Sequence, residues 1–189
     1  MTDFTNDIEN YLTKLKNTID SLKRCEINIF INMLITARDE GRTIFIMGNG
    51  GSASTASHFC CDFNKGASYG YDKRFKFICL NDNIATMTAY SNDVAYEEAM
   101  VELLKNFFES GDYVIGISGS GNSKNVIKAI EYANAHGGIT IGLTGYQGGK
   151  LKQICHHSVN MNVDDMQISE DLHMIMDHLS LRIITGKEY

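Results

Sequence analysis

The sequence predicts an α/β fold, a three-layer αβα sandwich around a five-stranded parallel sheet, preceded by helices at the N-terminus. Three observations carry this. From residue 43 onward, short apolar runs alternate with longer segments of helical periodicity, the pattern of successive βα units. Two apolar runs end in Gly/Ser-rich turns: Ile44-Phe45-Ile46-Met47 enters Gly48-Asn49-Gly50-Gly51-Ser52, and Val114-Ile115-Gly116-Ile117 enters Ser118-Gly119-Ser120-Gly121-Asn122-Ser123. Finally, no linker or low-complexity segment divides the 189 residues, so 1–189 reads as a single domain.

The elements follow in order. Ile8, Leu12, Leu15, Ile19 and Leu22 recur at helical spacing, and Ile27, Ile29, Phe30, Met33, Leu34 and Ala37 continue the pattern. Residues 4–40 are too long for one ordinary helix, so two are expected, breaking near Arg24-Cys25-Glu26. This amphipathic region, 1–40, has little domain of its own to pack on and is expected at an oligomer interface, with the αβα core in 41–189. Strands are expected at 43–47, 75–80, 113–117, 140–144 and 158–162. Helices are expected at 52–64, 84–90, 94–108, 124–136, 150–155 and 170–184, with Gly137-Gly138 as a C-terminal stop. A parallel sheet covered on both faces binds ligands at the carboxyl ends of its strands, where both Gly/Ser turns fall.

Composition narrows the function classes. The 43% apolar and 21% charged fractions are those of an ordinary soluble globular protein. A net charge of −6 without a basic stripe argues against nucleic acid as a ligand. No run is long and apolar enough for a membrane span, and the polar start MTDFTNDIENYLTKLK has no signal-peptide character, so a cytoplasmic location is expected. Cys25, Cys60, Cys61, Cys79 and Cys155 lack CxxC spacing and read as buried, reduced thiols.

The chemistry centres on the turns. Glycines let backbone N–H groups approach an anion, and a helix start adds unpaired donors and partial positive charge. Asn49, Gly50, Gly51 and Ser52 in the first turn, and Ser118, Gly119, Ser120 and Ser123 in the second, therefore suit a phosphate group. His58 and Asp62 lie four apart on the helix that the first turn opens, a spacing that serves an acid/base pair, a metal pair or a plain surface pair. The last helix carries Glu170, Asp171, His173, Asp177 and His178, where the first two equally suit a helix N-terminus and His173 with Asp177 a solvated face. Asn81-Asp82 follows a strand at its carboxyl end, whereas Asn92-Asp93 reads as a turn former.

The strings GNGGSASTASHF, GDYVIGISGSGNSKNVIKAIEYANAHGG, LTGYQGGKL and SEDLHMIMDHL resemble the sugar isomerase (SIS) domain family, and within it the phosphoheptose isomerase group. The resemblance runs from the N-terminal helices to Leu181. It implies a flavodoxin-like core, a phosphorylated sugar substrate and aldose–ketose isomerisation through an enediol, with sedoheptulose 7-phosphate as the ketose, for bacterial surface-polysaccharide heptose. It implies that Asn49, Gly50 and Gly51 form one substrate loop, Asn81 and Asp82 a second, and Ser118, Gly119, Ser120 and Ser123 the phosphate loop. His58 then matches a metal ligand, and His178 matches an acid/base residue that also ligates zinc. A homotetramer is implied as well, with active sites built from more than one subunit.

Three positions depart from that pattern. The catalytic glutamate falls on Asp62, a glutamine on the last helix falls on Glu170, and an arginine falls on Gly66 beside Lys65. Asp is one methylene shorter than Glu, and a misplacement near 1 Å costs on the order of 100-fold in rate. A bound metal, an altered backbone at Asp62, a different sugar or weak activity would each accommodate this. The departure also leaves room for a sugar-phosphate-binding regulator or a tetrameric adaptor. His58, Asp62, Glu170 and His178 offer two imidazoles and two carboxylates, a set for one divalent ion per subunit, zinc first. Glu170 and His178 are eight residues apart, about 12 Å on a continuous helix, so both reach one ion only from a bent helix or from two subunits.

Overall fold

A computed structural model of the chain describes residues 1–187. The apolar runs form strands β1 (Ile44–Met47), β2 (Phe77–Cys79), β3 (Tyr113–Ser118), β4 (Ile139–Thr144) and β5 (His157–Asn160), all parallel, in the order β2-β1-β3-β4-β5. Every residue of β1 and β3 is buried, as a sheet covered on both faces requires. The chain winds from β1 outward to β2, then returns to β3 on the other side of β1. That reversal opens a crevice at the carboxyl ends of β1 and β3, where a ligand can enter without displacing a crossover.

The helices are α1 (Thr5–Ser21), α2 (Arg24–Asp39), α3 (Gly51–Cys61), α4 (Ile84–Asp93), α5 (Ala99–Lys105), α6 (Lys124–Ala135), α7 (Gly149–Ile154) and α8 (Met166–Thr185). One core joins residues of α2, α3 and α8 to the sheet, and the other joins α5, α6 and α7 to its opposite face. Gly116 in β3 lets α6 approach: a Cβ there would stand 2.7 Å from Val126 Cγ1. Among the described residues, no helix is long and apolar enough to cross a membrane.

Several boundaries move. The break between the first helices falls at Leu22-Lys23 rather than 24–26. The helix expected at 94–108 shrinks to α5, because residues 94–98 turn and carry Tyr96 toward the site. α8 begins four residues before the expected 170, since the Asp165 side chain caps it by accepting from the Ile168 N–H at 3.2 Å. α3 does not end as an α-helix: Asp62–Gly66 widens into a π-helical turn, with the Asp62 carbonyl accepting from the Ala67 N–H. Not every thiol is buried either, since Cys25 and Cys61 are exposed. In α1 only Thr18 is buried, and Phe4, Ile8 and Leu12 around it lie more than half exposed, at 59%, 58% and 53%.

Candidate active site

The second Gly/Ser turn joins β3 to α6. Ser118 Oγ lies 3.0 Å from Ser123 Oγ and accepts from the Gly121 N–H, while Ser120 Oγ accepts from the Asn122 N–H. Ser123 is the N-cap of α6, yet its hydroxyl turns inward to Ser118 rather than capping the helix. The loop is braced from behind by the Gly148-Gly149 turn that opens α7. Gly121, at φ +68°, packs so closely on that turn that a Cβ would lie 1.9 Å from the Gly148 carbonyl oxygen. The Leu151 N–H donates to the Gly121 carbonyl and the Gly145 N–H to the Gly119 carbonyl. Two turns far apart in sequence thus hold three serines toward one side.

The first turn stands beside it across the β1/β3 crevice. Asn49 exchanges side-chain hydrogen bonds with Asn125, at 2.9 and 2.8 Å, and accepts a third from Tyr96 Oη at 2.6 Å. Gly51 faces α8: a Cβ on it would stand 2.4 Å from Glu170 Oε2. Asn49, Gly50, Gly51 and Ser52 therefore share one depression with Ser118, Gly119, Ser120 and Ser123, and Glu170 forms its rim.

Asn81 and Asp82, expected as a second substrate loop, sit elsewhere. Asn81 grips the backbone of Gly48, accepting from its N–H and donating to its carbonyl, so it shapes the first turn from outside the depression. Asp82 faces a separate hollow with Ile84, Leu103 and Phe107.

A second cluster forms where α3 and α8 run side by side. His58 and His178 meet with Nε2 atoms 3.1 Å apart, their rings nearly perpendicular. Asp62 Oδ2 lies 3.6 Å from His58 Nε2, and Asp177 Oδ2 lies 3.9 Å from the same nitrogen. One donor atom from each of these four residues falls within 4.8 Å of the others. Asp177 is fully buried, and neither of its carboxylate oxygens has a hydrogen-bond partner among the described residues. Burial, with the Asp62 charge adding to it, pushes the Asp177 carboxyl up to about 8. Two imidazoles and two carboxylates, one of them buried without a hydrogen-bond partner among the described residues, are a fitting environment for a divalent cation.

Glu170 is not in this cluster. α8 is continuous from Met166 to Thr185, so Glu170 and His178 of one chain stand about 12 Å apart along it, and the bent turn that would unite them is absent. His173 and Asp177 are not a solvated face. α8 is sandwiched against α3 and the sheet, Leu172 and Met176 share the core, and both polar residues are buried with them. Desolvation lowers the His173 pKa to about 4, with the Thr144 backbone opposing the shift, so the ring is neutral at physiological pH. Asn125 and Tyr96 escaped sequence reasoning. Asn125 had a signal, a polar residue next to the buried Val126 of α6, whereas Tyr96 had none that distinguishes it from a helix residue.

Residues 3–145 match the model of the SIS domain family. The phosphoheptose isomerase of Helicobacter pylori strain P12 is 34% identical over 166 residues, covering 87% of this chain and 85% of that protein. That of Thermodesulfovibrio yellowstonii is 37% identical over 153 residues, covering 77% and 72%. In three dimensions the phosphoheptose isomerase GmhA of Neisseria gonorrhoeae superposes with a TM-score of 0.89 over 98% of this chain and 100% of its own, at 21% identity, which shows a shared fold. The chain belongs to the SIS domain family and, within it, groups with the phosphoheptose isomerases.

Proposed function

We propose that this protein interconverts sedoheptulose 7-phosphate and D-glycero-D-manno-heptose 7-phosphate, supplying heptose for bacterial surface polysaccharide. The observation that carries this is the depression where two Gly/Ser turns meet at the β1/β3 crevice, an anion cradle with the Glu170 carboxylate at its rim. The serine loop holds the distal phosphate and fixes the sugar chain by its far end. Asn49, locked by Asn125 and Tyr96, and Glu170 at the rim meet the hydroxyls.

Isomerisation moves one proton between adjacent carbons and one between their oxygens. A base takes the carbon proton beside the carbonyl while an acid protonates the carbonyl oxygen, giving an enediol; the carbon proton is then delivered to the former carbonyl carbon as the other hydroxyl gives up its proton. Asp62 and His178 are assigned to these transfers, one as carboxylate and one as imidazole. The π-helical turn starts at Asp62, so the backbone is altered where the shorter acid stands. A divalent ion held by His58, Asp62 and His178, zinc by their N/O chemistry, would supply polarisation of the substrate carbonyl.

The assembly proposed is a homotetramer. The exposed apolar side chains of Phe4 and, on α1, Ile8 and Leu12 supply the contact surface. The experiment is NMR observation of aldose–ketose exchange across a panel of five- to seven-carbon sugar phosphates. Exchange with sedoheptulose 7-phosphate is the expected result, and binding of the panel without exchange of any member would overturn the assignment.

A further inference from the structure

We propose that Asp177 is a ligand of the divalent metal, completing with His58, Asp62 and His178 the set that Glu170 of the same chain cannot reach. The inference rests on the metal-site reading above and changes its membership.

The argument starts from the cost of the side chain. Asp177 is fully buried and both its oxygens lack a hydrogen-bond partner among the described residues. An unpaired carboxylate in the interior is among the most costly groups a fold can hold; without a cation or a metal it keeps a proton, and a metal lets it ionise. Among the described residues no cationic side chain hydrogen-bonds it, whereas two imidazole nitrogens and a second carboxylate converge on the same space.

Distances favour an ion at the centre of these atoms. Ligand atoms about 2.1 Å from a tetrahedral zinc lie about 3.4 Å from one another. The measured separations around His58 Nε2 are 3.1 Å to His178, 3.6 Å to Asp62 and 3.9 Å to Asp177, and the whole set closes within 4.8 Å. Charge agrees: two carboxylates and two neutral imidazoles sum to −2 and neutralise a dication. Asp177 and His178 are neighbours on α8, about 100° apart around the helix. The first therefore reaches the ion from the buried side and the second from the exposed side, both against α3. Glu170 is left at the sugar depression, beside Gly51.

The test compares the full-length wild-type chain with D177N, D177L and E170Q. Each is stripped of metal and titrated with zinc against a competing chelator. Cobalt(II) is then loaded in its place and its visible absorption recorded, a readout of ligand number and type independent of turnover. Loss of an outer-shell partner alone weakens metal binding by roughly 10–100-fold, so loss of a true ligand should exceed about 100-fold in both Asp177 variants and change the cobalt spectrum. E170Q should retain wild-type affinity and spectrum. D177L guards against misfolding, since it replaces a buried orphan carboxylate with an apolar group. Its metal-free form should melt no lower than metal-free wild type, while the rise in melting temperature on adding zinc disappears. Wild-type affinity in the Asp177 variants, or loss of metal in E170Q, would overturn the assignment. A wild-type chain that binds neither zinc nor cobalt would overturn it together with the metal site, and the NMR exchange assay would then report on isomerisation separately.

Discussion

Replacing Ser123 with Ala separates binding from stability at the phosphate loop. In most helices an N-cap serine to alanine change costs about 1 kcal/mol, because the hydroxyl satisfies a helix N–H. Ser123 does not spend its hydroxyl that way; its contact is Ser118 Oγ at 3.0 Å. The folded chain therefore loses at most one neutral hydrogen bond, about 1 kcal/mol, which for a domain of this size shifts the melting temperature by roughly 2–4 °C. Binding loses more. A hydrogen bond to a charged phosphate oxygen contributes about 1.5–3 kcal/mol, or roughly a 10- to 150-fold weakening. The assay is calorimetric titration of wild type and S123A with sedoheptulose 7-phosphate, alongside thermal melts. A dissociation constant within about twofold of wild type would show that the hydroxyl does not hold the phosphate. A melting temperature falling by more than about 8 °C, twice the expected shift, would show that it is a structural group instead.

Three further outcomes are expected. Gly121→Ala should destabilise the chain by at least about 2 kcal/mol and weaken sugar-phosphate binding, measured by chemical denaturation and calorimetry. It places a Cβ at positive φ and 1.9 Å from the Gly148 carbonyl oxygen, so the two braced turns must part. His173 should contribute a loss of stability on acidification below pH 6.5, because the unfolded chain takes up a proton there while the buried ring resists until about pH 4; the raised Asp177 carboxyl acts in the opposite sense over the same range, so the His173 part is read as the difference between wild type and His173→Met. The loss reaches about 3 kcal/mol by pH 4, and His173→Met should flatten that part of the profile in denaturant titrations. Introducing Ile8→Glu with Leu12→Glu should dissociate the assembly to monomers in light scattering, with the helix content of circular dichroism kept, because both side chains are already exposed in the single chain.

The legible part of this protein is local. Apolar runs, glycine turns and helical periodicity are properties of a few consecutive residues, and they sufficed for the parallel αβα architecture, the five strands and both Gly/Ser turns. The serine loop was visible for the same reason: Ser118, Ser120 and Ser123 are neighbours in sequence and in space. So was the His58–Asp62 pair, separated by one helical turn. Boundaries moved where a side chain acted across a distance, as when Asp165 started α8 early or when the turn at 94–98 took Tyr96 to Asn49.

What tertiary structure decided is which polar groups face one another and which are cut off from water. Asn81 and Asp82 sit at a strand end like any ligand residue, yet one grips Gly48 and the other faces a separate hollow. Periodicity gives His173, Asp177 and His178 similar prospects on α8. Only packing against α3 and the sheet buries the first two and leaves the third at the rim. Likewise Glu170 lines the Gly/Ser depression and Asp177 the cluster with His58, Asp62 and His178, because α8 runs straight past both. Helical rise then fixes which side chain arrives at which site. Sequence determined the elements because their causes act within a few residues. The composition of the site came from the packing of α3 against α8, whose partners are more than a hundred residues apart along the chain.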